Sequence, residues 1–149
     1  MAKRYDVKGK TYFKYPNKYY YTDIGLRNAR LNYRQYNPGH IMENIIYNEL
    51  LQRGYSVDVG VVTDRTGGAN SQKEIDFVVN DADKKIYIQS AFQMDADKKE
   101  SSELASLILT KDFFKKIIVR MDIPHNFYAD NGIFHCNLID LLLGRVELF

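Results

Sequence analysis

With 149 residues, 45% of them hydrophobic, the chain has enough material for one domain with its own core. No stretch approaches the roughly 20 apolar residues of a membrane span, and nothing after Met1 has a signal-peptide pattern, so a soluble, cytoplasmic protein is expected; the lone Cys136 excludes an intrachain disulfide and a cysteine-rich zinc site and reads as a buried, inert thiol. The net charge of +2 hides an asymmetry: residues 1–40 carry nine Lys and Arg against two acids, a net +7, and the remainder carries twelve against seventeen, a net −5.

Residues 1–37 read as a basic, tyrosine-rich extension packed on the core of a single domain. Eight tyrosines interleave with the positive charges of residues 1–40, a composition that suits phosphate contacts combined with base stacking. On that reading Lys14, Lys18 and Tyr20 are candidate nucleic-acid contacts. A structural reading stands beside it: Tyr19-Tyr20-Tyr21-Thr22 has strand-forming composition, and its basic flanks are then a solvated surface.

Asn37 and Pro38 open a helix, the first as cap and the second preset for the first turn, and Gly54 closes it. Ile41, Met42, Ile45, Ile46, Leu50 and Leu51 recur at helical spacing and form its buried face. Glu43 sits at the edge of that stripe, where a carboxylate can reach an adjoining sheet, while Asn44, Asn48 and Gln52 are expected to face water. Next, Tyr55, Val57, Val59 and Val61 alternate with small or polar residues as in a half-buried strand, followed by a turn-rich loop at 63–71. Its Gly67-Gly68 is not a phosphate loop, because no Gly-Lys-Ser/Thr follows.

Residues 73–80 and 85–92 read as an antiparallel hairpin around the turn formers Asn80-Asp-Ala-Asp83. Strict alternation puts Ile75, Phe77 and Val79 on one face of the first strand and Glu74, Asp76 and Val78 on the other. The same rule groups Tyr87, Gln89 and Ala91 in the second, so Asp76, Gln89 and Ala91 are expected to converge. Lys73 should point away from Asp76, and Lys85 lies about 13 Å from Gln89 at roughly 3.3 Å per residue, so neither is placed to serve there.

Downstream, Asp97-Lys-Lys-Glu100 has the form of a capping box before a helix at about 98–109. Lys116–Met121 is an apolar strand, and a helical crossover implies that it runs parallel to its predecessor. Asp130-Asn-Gly132 is a turn, residues 133–137 a strand, and Leu138–Leu143 a short helix ended by Gly144. His40, His125 and His135 have no zinc-site spacing, and no serine sits in a nucleophile elbow.

This order, helix, three strands, helix, strand, then strand and helix, resembles the restriction-endonuclease-like α/β fold of the PD-(D/E)xK nucleases, a mixed sheet flanked by helices. In wording the chain is closer still to the domain of unknown function that follows the ATPase module in a large family of prokaryotic AAA-type ATPases. The matching stretches are 18–29, 39–55, Lys73-Glu-Ile-Asp-Phe77, Ile86-Tyr-Ile-Gln-Ser-Ala91 and Lys116-Ile-Ile-Val119. The resemblance implies a parent protein with an ATPase module before Met1 as the natural partner, although no Walker motif occurs in these residues.

In active members of that superfamily a helical acid and two strand acids bind magnesium, and a lysine orients the attacking water. Carried over residue by residue, Glu43 matches the helical acid and Asp76 the first strand acid; Gln89 replaces the second and Ala91 replaces the lysine. Glutamine keeps an oxygen that can ligate a metal at reduced charge, whereas alanine offers neither charge nor donor. The resemblance therefore implies an altered nuclease module that binds nucleic acid or a protein partner, with Glu43, Asp76 and Gln89 as the remnant of a magnesium site. An active magnesium-dependent endonuclease with rearranged groups and a structural or oligomerising module are the alternatives.

Overall fold

The computed structural model describes residues 1–13, 16–65, 71–94 and 104–149, so Lys14 and the capping box at 97–100 lie outside the described residues. In chain order the described elements are β1 (Arg4–Asp6), β2 (Thr11–Tyr12), α1 (Ile24–Arg30), α2 (Pro38–Gln52), β3 (Ser56–Asp64), β4 (Ser71–Asp81) and β5 (Lys84–Ala91), then a helical segment α3 (residues 104–108), β6 (Lys115–Arg120), β7 (Phe127–Tyr128), β8 (Phe134–Asn137) and α4 (Leu138–Leu142). The strands form one mixed sheet in the order β2-β1-β3-β4-β5-β6-β8-β7. β3, β4 and β5 pair antiparallel, whereas β6 runs parallel to β5, as expected of a connection that crosses over through a helical segment.

α2 forms where its end signals place it. Asn37 Oδ1 accepts the His40 N–H at 3.1 Å, and Gly54, with φ of 86°, takes the left-handed conformation that ends the helix. Met42, Ile46, Tyr47 and Leu50 bury against Val57, Val59, Phe77 and Ile88 on one face of the sheet. Leu107 of α3 belongs to a second cluster with Ile75, Val78, Tyr87 and Ile118 on the other. The central strands are thus covered on both sides, so β3, whose alternation reads as half-buried, is buried at Val57 and at every residue from Val59 to Val62.

Five expectations are corrected. The strict alternation in β4 fails, because Asp58 pairs with Val78 and Gly60 with Ile75, leaving Asp76 and Phe77 together opposite Val59. This β-bulge puts Ile75 and Val78 in one cluster and Phe77 and Val79 in the other, and turns Asp76 and Phe77 alike toward α2. Gly60 permits it: a Cβ there would stand 2.8 Å from Val78 Cγ2 and 3.0 Å from Ile75 Cβ.

Residues 19–22 form no strand. Instead the Asn44 amide accepts the Tyr21 N–H at 2.8 Å and donates to the Tyr21 carbonyl at 2.7 Å, while Asn48 donates to the same carbonyl at 2.9 Å. The backbone groups that a ladder needs are taken by α2 side chains, and Asn44, expected in water, is 6% exposed. Leu51, expected in the core, is 45% exposed. Finally, the N-terminal residues do more than pack on the core: β1 joins the sheet parallel to β3, and Ala2 and Lys18 form an antiparallel bridge beside it.

Candidate functional site

The β4–β5 ladder stops at the pair Phe77 and Ile88, one step short of Asp76. Beyond that point side chains replace it: Asp76 Oδ2 accepts the Ser90 N–H at 2.8 Å, and Gln89 Oε1 accepts the Asp76 N–H at 3.2 Å. The bulge frees the Asp76 amide, and the Gln89 amide oxygen satisfies it. A cleft of about 540 Å³ lies against this junction, and Glu43, Asp76, Gln89 and Ala91 all line it, with Asn37 and His40 from the start of α2. Gln89 is 7% exposed, and its neighbours Tyr87 and Ala91 pack in the cluster that faces away from α2.

A charged cluster sits between α2 and β4. Lys18 Nζ lies 2.6 Å from Glu43 Oε1, 2.8 Å from Glu74 Oε1 and 3.8 Å from Asp76 Oδ1. Arg4 on β1 grips Glu74 Oε2 through Nε at 3.2 Å and Nη2 at 2.8 Å. The Tyr20 hydroxyl donates to Glu43 Oε1 at 2.7 Å, and its ring stacks on Tyr47 with centroids 4.0 Å apart. Three carboxylates are thus met by two cations and a phenol within the fold. Lys18 and Tyr20, candidates for reaching nucleic acid, are turned inward to this cluster.

Burial pulls the Lys18 pKa down, but Glu43, Glu74 and Asp76 together outweigh it and hold the ammonium above its ordinary value. Burial pushes Glu74 up, and hydrogen bonds from Lys18 and Arg4 overcome this to leave it below the ordinary carboxylate range. Burial and then Glu43 drive the Tyr20 phenol far upward, so it remains a donor.

Glu43, Glu74 and Asp76 are oxygen donors of the type that hard divalent cations prefer. Their arrangement does not fit such an ion. The Lys18 ammonium stands among them, the Gln89 oxygen is directed to backbone, and among the described residues no three His, Cys, Asp or Glu side chains are grouped to hold a metal. Lys73, correctly turned away, pairs with Asp64 at 3.9 Å.

Glu74 was within reach of sequence reasoning, since it stands two residues before Asp76 on the same strand face. Lys18 was not. Nothing near it in the chain signals that it bonds to a carboxylate 56 residues away, and its place depends on the bridge with Ala2 and the grip of Asn44 on Tyr21.

Residues 38–135 match a protein family described as domain of unknown function (DUF4143). Glu43, Asp76 and Gln89 fall inside that segment, whereas Arg4, Lys18 and Tyr20 precede it. An uncharacterized protein of Haemophilus influenzae (strain ATCC 51907 / DSM 11121 / KW20 / Rd) is 40% identical over 118 residues, which cover 79% of this chain and 27% of the relative. The chain therefore spans about a quarter of that relative's length, and no solved structure matches it. On the extent of the match, this chain belongs to the DUF4143 family.

Proposed function

We propose that the chain is a nuclease-like module, of the restriction-endonuclease-like type, within a longer AAA-type ATPase, and that its cleft binds without cutting. The observation that carries the reading is the Lys18 ammonium, 2.6 Å from Glu43 and 2.8 Å from Glu74, which brings to the carboxylates the positive charge that a metal ion brings in a cleaving site. The placement of the groups that cleavage needs supports it. The Gln89 oxygen is bonded to the Asp76 amide, and Ala91 packs among apolar side chains where a lysine would orient water. Loss of a positioned group for proton transfer forfeits about a hundred- to ten-thousand-fold in rate, or roughly 3–5 kcal/mol of barrier. The greater length of the Haemophilus influenzae relative supports a parent protein in which the module works beside another part.

One contact favours a rival reading. Lys18 Nζ is 3.8 Å from Asp76, close enough to replace the missing strand lysine in an active magnesium-dependent endonuclease. A cleavage assay on plasmid and oligonucleotide substrates with magnesium or manganese separates the two. The unaltered protein is expected to cut no more than its Asp76→Ala variant. Robust cleavage that Asp76→Ala abolishes would establish the rival, and its loss in Lys18→Gln as well would make Lys18 the displaced lysine.

A further inference from the structure

We propose that the arm formed by residues 24–36, α1 and the turn after it, is a binding surface for single-stranded nucleic acid at the mouth of the cleft. Between Asp23 and Glu43 the chain has three arginines, Arg27, Arg30 and Arg34, and no acidic residue. Residues 41–149 carry a net −5 and residues 1–40 a net +7, so the attraction for a polyanion is weighted to the N-terminal part of the molecule. α1 buries none of its residues, and the core does not account for its sequence. Leu26 is 70% exposed, and Tyr33 and Tyr36 are 73% exposed each, so two flat aromatic rings and an aliphatic side chain stand on the cationic arm.

The backbone of the arm is built to hold this display. Asn32 and Tyr33 both take left-handed conformations, with φ of 49° and 55°, which non-glycine residues rarely adopt. Tyr33 N–H bonds to the Asn28 carbonyl at 2.9 Å, and Arg27 donates to the Gln35 carbonyl at 3.3 Å, closing the turn on itself. The bend turns Tyr33 outward to solvent.

Guanidinium groups for phosphates and exposed rings for bases are the pair of chemistries that an unstacked strand offers. A duplex hides its base faces from such rings. A protein partner would also cover tyrosine and arginine, but it does not call for a run free of acids. The arm also leads to the cleft: Asn37 caps α2 and lines it with His40 and Glu43, and Arg27, Tyr19 and Lys18 line the adjoining hollow.

This inference deepens the proposed function by naming the partner, and the test is run in EDTA so that binding is read apart from cleavage. Fluorescence anisotropy with labelled oligo(dT) and oligo(rU) should show binding by the 149-residue protein. It should weaken about twenty-fold between roughly 50 and 200 mM salt, as expected for about three phosphates on a single strand. The pair Arg30→Glu and Arg34→Glu should reduce affinity about ten-fold or more. The pair Tyr33→Ala and Tyr36→Ala should reduce it about five-fold or more while leaving affinity for inorganic polyphosphate unchanged. These side chains are exposed, so both variants should unfold at the parent temperature. Equal affinity for the two oligonucleotides supports recognition of either sugar, and a preference identifies DNA or RNA as the source. Undetectable binding at low salt, or binding that both pairs leave intact, overturns the proposal and leaves the arm to a protein neighbour; loss with the arginines alone overturns the single-strand claim.

Discussion

At the scale of residues, Lys18 and Glu74 decide how the site responds to pH. Glu74 is held below its ordinary value of 4.5, burial opposing and the Lys18 and Arg4 hydrogen bonds prevailing. A depressed carboxyl adds stability that is present above the unfolded pKa and is lost as pH falls through the folded one. Lys18 is held above its ordinary 10.5, so its contribution is complete below that value and is lost as pH climbs through the folded pKa. The cluster is therefore intact across the neutral range and dismantled from both ends. Urea midpoints measured against pH should fall on the acid side from about pH 4.5 downward, and Glu74→Gln should flatten that limb while lowering stability near neutrality. An acid limb as steep in Glu74→Gln as in the parent would remove Glu74 from this role.

At the scale of elements, the bulge in β4 is what brings a strand acid to a helical one. Its cause lies on the neighbouring strand, in the absence of a Cβ at Gly60, with Val78 Cγ2 and Ile75 Cβ 2.8 and 3.0 Å from where one would be. Gly60→Ala should overpack this contact and cost about 1–3 kcal/mol, measured by urea denaturation; a neutral effect would mean that the bulge does not rest on Gly60. The same feature marks how far a sequence carries. α2 was legible because its signals are local: Asn37, Pro38 and Gly54 act through their own backbone, and the apolar spacing repeats within a few turns. The face assignment of Ile75 and Phe77 was not, because a bulge is a property of two strands and single-strand alternation cannot register it. Tyr19–Thr22 misled for a related reason, since the amides of Asn44 and Asn48 compete for its backbone from another element.

At the scale of the whole molecule, the parts of the site that sequence exposed are those held by regular elements. Glu43, Asp76 and Gln89 line one cleft, but by another route than the one-face convergence that strand periodicity gives: the bulge turns Asp76 toward α2, while Gln89 lies between Tyr87 and Ala91, which pack on the opposite face. The cation that meets two of these acids comes from an irregular N-terminal segment whose position depends on β1 entering the sheet beside β3. The central claim is that this ammonium holds the place of a divalent ion. It is tested most directly by thermal unfolding of the parent and of Lys18→Gln with increasing manganese. Without metal, Lys18→Gln should unfold at a lower temperature than the parent, because Glu43, Glu74 and Asp76 then repel one another. A metal that binds only the folded state at about a hundred times its Kd adds roughly 2.7 kcal/mol, or on the order of 5–10 °C for a chain of this size. The account predicts a rise of that order for Lys18→Gln and little for the parent; an equal rise in the parent would contradict it.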